Sequence, residues 1–142
     1  MRLFTIGYEK RDIEDFLKTL KDNNIEILID IRAVPYSRNK DYTKKNLEKR
    51  LLEVGIEYLP AKELGSPEDL RKKVKSDRDY GYFFDKYKEF LEGKKEYLGE
   101  LIDIARKKII CLLCYEGDFN RCHRSSVARQ IAETGDLEIL HL

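Results

Sequence analysis

The sequence predicts an α/β fold, one compact domain over residues 1–142 with a mainly parallel sheet and helices on both faces. Three observations point there. Short apolar runs alternate with segments of helical periodicity. Two of those runs, Glu26 to Ile31 and Ile109 to Cys114, are nearly or wholly apolar, as strands covered on both sides are. Capping residues, Gly and Pro punctuate the joints between them. At this length folding buries roughly 68–70% of the unfolded chain's surface, so the core needs no disulfide or metal staple.

Arg2 to Ile6 reads as a strand stopped at Gly7, and Asp12 as the cap of a helix with Ile13, Phe16, Leu17 and Leu20 on one face. After the strand at Glu26 to Ile31, Thr43 caps a second helix carrying Leu47, Leu51 and Leu52, which Gly55 ends before a short strand, Ile56 to Leu59. Ser66-Pro67-Glu68-Asp69 supplies a cap, a Pro at the first helical position and acids in the first turn of a third helix. From Tyr80 to Leu91 the side chains Phe83, Phe84, Tyr87, Phe90 and Leu91 form one wide helical stripe, read as core and not as a base-stacking platform. Gly93 separates it from a helix with Leu98, Leu101, Ile102 and Ala105, which leads into the most apolar strand, expected at the centre of the sheet. Ser125 or Ser126 opens a last helix stopped by Gly135, and Leu137 to His141 returns as the final strand.

The 28 Lys+Arg and 27 Asp+Glu leave a formal charge of +1, which excludes a large field seeking polyanions. Charged residues make up 39% of the chain, dominated by Lys and Glu, a surface that suits a soluble, thermophilic protein. No apolar run approaches the roughly 20 residues of a membrane span, so no membrane partner is expected. The start lacks an apolar leader, and the expected location is cytoplasmic. Three cysteines in such a chain argue for reduced thiols.

In a parallel α/β sheet, ligands bind beyond the carboxyl ends of the strands. The segments predicted there are Gly7-Tyr8, Asp30 with Arg32 and Ser37, Leu64-Gly65, the stretch from Cys114 to Ser125, and His141. The stretch from Cys114 through Glu116, Cys122, His123 and Arg124 to Ser125 is a strand–loop–helix joint, where free N–H groups and the helix dipole favour anions and thiolates. Asp30 interrupts an apolar strand and requires a partner such as Arg32 or Arg124. Cys111 reads as a core residue. Zinc ligands are available in Cys114, Cys122, His123 and His141, but without a paired Cys-x-x-Cys knuckle no metal is expected, and no cofactor either.

These residues resemble the uncharacterised family called domain of unknown function 488. The resemblance is carried by Thr5-Ile-Gly7, Asp30-Ile-Arg32 with Pro35 and Ser37, Tyr58 with Leu64-Gly65, Cys114-x-Glu116, Cys122-His-Arg124 and the terminal His141-Leu142. It implies a compact α/β fold whose motif residues share a site, and it supplies no established reaction. A weaker similarity joins Ile29-Asp-Ile-Arg32 and Cys114 to Arg121 to the strand–Cys–loop–Arg–helix layout of rhodanese and cysteine-phosphatase domains.

Two functions follow as expectations. The first is an enzyme, or former enzyme, that binds an anionic, phosphate-containing small molecule such as a nucleotide. In it Cys122 or Cys114 is the nucleophile, Glu116 or His123 the proton carrier, and Arg32 with Arg124 the anion clamp; Gly7, Tyr8, Asp30, Ser37, Ser125 and His141 complete the binding site. The second is a nucleic-acid-binding module. It would use Lys44, Lys45, Lys49 and Arg50 near Arg38 and Lys40, or Lys72, Lys73, Lys75 and Arg78 near Tyr80 and Tyr82.

Overall fold

Leu112 and its neighbours are wholly buried, and the strand they build is the middle member of a five-stranded sheet. The computed structural model describes all 142 residues. In chain order the elements are β1 (Arg2–Gly7), α1 (Ile13–Asp22), β2 (Ile27–Asp30), α2 (Lys44–Glu53), β3 (Glu57–Pro60), α3 (Glu68–Asp77), α4 (Tyr80–Glu92), α5 (Lys95–Ala105), β4 (Ile110–Cys114), α6 (Arg124–Gly135) and β5 (Glu138–His141). The strand order is β3-β2-β4-β1-β5, and every pairing is parallel. All five carboxyl ends therefore lie along one rim.

Strand side chains alternate between faces, and two cores result. Ile110, Leu112 and Cys114 of β4 pack with Leu3, Ile29 and the inner residues of α4, α5 and α6, among them Phe83, Tyr87, Leu101 and Ile131. Cys111 and Leu113 point the other way, into a cluster with Phe16, Leu17 and Leu20 of α1 and Leu47 and Leu51 of α2. Cys111 and Cys114 differ by an odd number of positions and so lie on opposite faces. The α4 stripe is core, as expected: Phe83, Tyr87 and Leu91 are buried.

Helix starts move by one to three residues at two joints, those of α3 and α6. Pro67, not Ser66, is the residue before the first turn of α3, which leaves Ser66 buried at the edge of the cleft described below. Thr43 stands at the cap position of α2, but its hydroxyl donates to the Ser37 carbonyl. The last helix starts at Arg124 and not at a serine, because His123 already has helical angles (φ −61°, ψ −17°). Gly55 follows α2 with φ +76°, a left-handed conformation that glycine adopts without strain. No helix is long and apolar enough to cross a membrane.

Replacing Leu112 by Ala is expected to destabilise the fold by about 2–5 kcal/mol, through lost burial and the cavity left behind. The change Leu52→Ala, at a side chain 77% exposed, is expected to stay within about 0.5 kcal/mol. Urea unfolding of the two variants measures both, and equal losses would contradict the burial of Leu112 at the centre of the sheet.

Candidate active site

Loops leaving the carboxyl ends of β1, β2 and β4 face the start of α3 across a cleft of about 1200 Å3. Of the twelve residues singled out from sequence, Tyr8, Arg32, Ser37, Cys114, Glu116 and His123 line it. Gly7, Asp30, Cys122, Arg124, Ser125 and His141 do not; they lie behind or beside that lining. A smaller hollow of about 310 Å3, between Arg2, Asn23 and Lys108 at the other end of the strands, contains none of the candidates.

On the α1/α2 side the site is held by an ion pair. Asp30 Oδ1 accepts from the backbone N–H of Arg32 (3.1 Å) and from its Nε (2.8 Å), and Oδ2 accepts from Arg32 Nη2 (2.7 Å) and the Tyr58 hydroxyl (2.7 Å). Arg32 Nη1 donates to the Tyr42 carbonyl at 2.7 Å and the Tyr8 hydroxyl at 3.3 Å. Burial works against the guanidinium charge, but the hydrogen bonds and charge of Asp30 outweigh it and raise the Arg32 pKa. The Tyr8 ring stacks on Tyr42 with centroids 4.4 Å apart and meets Tyr115 edge-on at 5.3 Å. The guanidinium that the sequence offers as an anion clamp thus has its donors engaged within the protein.

The α6 side is built around Arg124, whose side chain is fully buried at the first position of the helix. Its Nε donates to Thr5 Oγ1 (3.2 Å), Nη1 to Cys114 Sγ (3.3 Å) and to the Glu116 carbonyl, and Nη2 to the Gly117 carbonyl (3.2 Å). No carboxylate lies within salt-bridge distance of it. Burial lowers its pKa while the charge of Glu116 raises it. Gly7 makes this packing feasible, since a Cβ there would collide with the Glu116 carbonyl and crowd Arg124 Nη1 at 2.8 Å.

Cys114 and Cys122 are joined as a disulfide, where the sequence argued for reduced thiols. The reason lies in the loop: a single 3-10 turn at Phe119–Arg121 folds the chain back and returns Cys122 to the end of β4. The backbone N–H of Arg124 donates to Cys122 Sγ at 3.4 Å. His123 Nε2 lies 2.8 Å from the Ile31 carbonyl, an acceptor only, so Nε2 carries the proton and Nδ1 keeps its lone pair. That Nδ1 faces Cys122 Sγ at 3.9 Å. Burial first, then the nearby charges of Arg71 and Arg124, push the imidazole pKa down to about 4 against the pull of the Ile31 carbonyl. One donor atom each from Cys114, Cys122 and His123 lie within 4.8 Å of one another, a set that could hold a metal only with the disulfide opened. His141 stands apart: its Nδ1 shares a 2.5 Å hydrogen bond with Thr5 Oγ1, its ring stacks on Phe119 and its pKa is lowered by burial.

Glu116 lines the cleft, and burial raises its carboxyl pKa against the opposing pull of its own backbone N–H and of Arg124. Ser125 donates to the Cys122 carbonyl, and Ser37 Oγ accepts from the Asn39 N–H. Sequence reasoning for the anion site missed Lys10, Arg11 and Arg71, named Arg121 only in the weaker rhodanese-like similarity, and placed Arg38, Lys72 and Lys75 only among the basic groups of the nucleic-acid reading; all seven line the cleft. Lys10, Arg38, Arg71 and Lys75 have no carboxylate partner. For Arg71, Lys72 and Lys75 the sequence signal was the basic content of the third helix, which says nothing about where that helix lies.

Asp30→Ala would leave a buried guanidinium unpaired and is expected to cost about 3–5 kcal/mol in urea unfolding, with Asp30→Leu/Arg32→Met costing less than the sum of the two single changes. Additive losses would show that the two groups do not act as a pair. Gly7→Ala is expected to displace the Glu116 carbonyl and lower the thermal midpoint; an unchanged midpoint would disprove the close approach.

No curated protein and no solved structure matches this chain, so the likeness to rhodanese and cysteine-phosphatase domains gains no support. Residues 12–131, well over half of the sequence and including every element from α1 to β4 and most of α6, match the family described as Domain of unknown function DUF488, and the chain belongs to that family.

Proposed function

We propose that the protein is an enzyme that binds an anionic, phosphate-containing small molecule of nucleotide type in the rim cleft and acts on it with Cys114. One observation carries this reading: a sulfur and a neutral imidazole lie at the floor of a cleft whose walls bear four basic side chains without carboxylate partners, Lys10, Arg38, Arg71 and Lys75. Because every guanidinium nitrogen of Arg32 and Arg124 is engaged internally, the anion clamp passes to these four, of which Arg71 gives one nitrogen, Nη1, to the Ser66 carbonyl. Tyr36 and Tyr115, 68% and 49% exposed on the same cleft, offer faces on which a base can stack.

The roles divide by position. Once the disulfide is opened, Cys114 is the nucleophile, because its sulfur lines the cleft and has Arg124 Nη1 at 3.3 Å to stabilise a thiolate. Glu116, whose carboxyl stays protonated to higher pH than usual, is the proton donor to a leaving group. Tyr8, Arg32 and Ser37 shape the opposite wall.

Thermal unfolding with a panel of nucleotides, inorganic phosphate and neutral nucleosides tests the reading. A nucleotide at about 100-fold above its Kd stabilises by about 2.7 kcal/mol, a rise of several degrees. Neutral nucleosides are expected to give little, and Arg71→Glu/Lys75→Glu to abolish the rise. The idea fails if no anion shifts the midpoint or if the double variant responds like the parent. Tighter binding of a single-stranded oligonucleotide than of its mononucleotide, with a steep salt dependence, would favour the nucleic-acid reading instead.

A further inference from the structure

The two sulfurs at the cleft floor differ in access and in surroundings. Cys114 lines the cleft and Cys122 does not, yet the two are close enough to be joined. Arg124 brings a buried positive charge to Cys114 Sγ at 3.3 Å with no carboxylate in salt-bridge contact, so a Cys114 thiolate would be the anion in direct contact with it. Behind it, Cys122 Sγ meets the N–H of Arg124 at 3.4 Å and the lone pair of His123 Nδ1 at 3.9 Å. In the disulfide, Nδ1 has no donor to accept from; in the dithiol, the S–H of Cys122 supplies one. The groups around the pair thus serve a thiolate at Cys114 and a thiol at Cys122 as well as they serve the closed disulfide. A divalent cation suits the place less, since it would lie beside an unneutralised guanidinium.

We propose that this chain carries out thiol–disulfide exchange on anionic disulfides, with Cys114 as the attacking thiol and Cys122 as the resolving thiol. The proposal rests on the reading of the cleft as an anion site and adds that the anionic molecule acted on there carries a disulfide. In the first step the Cys114 thiolate attacks one sulfur of a substrate RSSR′. A bond forms between Cys114 Sγ and the sulfur of RS, the substrate disulfide breaks, and R′S leaves with the proton of Cys122. The resulting Cys122 thiolate then attacks Cys114 Sγ, the protein disulfide forms, and RS departs as a thiolate. Two electrons pass from the dithiol to the substrate, and a small dithiol reductant restores the starting state by the reverse exchange. Cys111 is a bystander, buried on the other face of the sheet with its thiol pKa raised by burial.

The experiment uses the full chain, reduced, freed of reductant and held with a chelator, and mixed with an excess of anionic dithiobis(nitrobenzoate) or of neutral dithiodipyridine. Each rate is divided by that of the same reagent with the urea-unfolded chain. Two equivalents of the anionic thiol are expected in the fast phase, with a Cys114–Cys122 disulfide and no retained label on peptide mass mapping. The normalised rate of the anionic reagent should exceed that of the neutral one by about tenfold or more and fall with added salt. Cys122→Ser should release one equivalent and hold the label at Cys114, while Cys111→Ser should react as the parent does. Label held at Cys111 or Cys122, or a lone equivalent from the parent, overturns the exchange; the nucleotide-induced thermal shift still reports separately on the cleft. Equal normalised rates for the two reagents overturn the anionic substrate class, and an absent thermal shift then places the failure in the cleft reading. Mass mapping of the parent keeps the test decisive if a Cys variant does not fold.

Discussion

A single buried guanidinium organises the carboxyl rim of the sheet. Arg124 is removed from water, and a charge in that position is tolerated only if its donors are met. They are met by atoms from three places: Thr5 in β1, Cys114 at the end of β4, and the Glu116 and Gly117 carbonyls of the loop between β4 and α6. The loop can fold only where those carbonyls reach the guanidinium, and α6 can start only where Arg124 enters it. Gly7 is part of the same constraint, because any side chain on it would occupy the place of the Glu116 carbonyl. Since all four acceptors are neutral, the positive charge remains available to an anion at Cys114.

The second buried charge is handled in the opposite way. Arg32 meets Asp30 in two parallel hydrogen bonds, and its remaining nitrogen reaches Tyr42 and Tyr8. This pair is internally neutral, so its contribution is shape: it fixes the chain as it leaves β2 and orients the stacked Tyr8 and Tyr42 beside the cleft. One rim therefore carries a neutralised pair on the α1/α2 side and an unneutralised charge on the α6 side. The proposed thiol chemistry sits with the second, and Arg71 and Lys75 of α3 and Arg38 of the β2–α2 connection, none with a carboxylate partner, line the same cleft.

Much of this was legible in advance. The continuous apolar runs named β2 and β4, and burial on both faces explains why they lack alternation. The demand of Asp30 for a partner followed from the cost of a bare buried carboxylate, and Arg32 answers it. The crowding of Cys, His, Arg and Glu between Cys114 and Ser125 identified the loop where six cleft or rim residues meet. Less legible were the helix starts at α3 and α6, because Ser66, Ser125 and Ser126 all have the chemistry of caps while tertiary contacts chose other residues.

By itself the sequence determined the layered α/β architecture, the central place of β4 and the rim on which the reactive side chains gather, because periodicity and strand direction are local properties that propagate through parallel pairing. Only the tertiary structure decided which of those side chains face solvent. Arg32 and Arg124 read in sequence both as partners for Asp30 and as an anion clamp, and both became internal ties, whereas Arg71, not singled out, and Lys75, named only for its basic helix, became walls of the cleft. The joining of Cys114 to Cys122 was likewise a matter of how one short turn folds back. Burial and hydrogen-bond satisfaction are settled by contacts between distant segments, and no spacing along the chain encodes them directly.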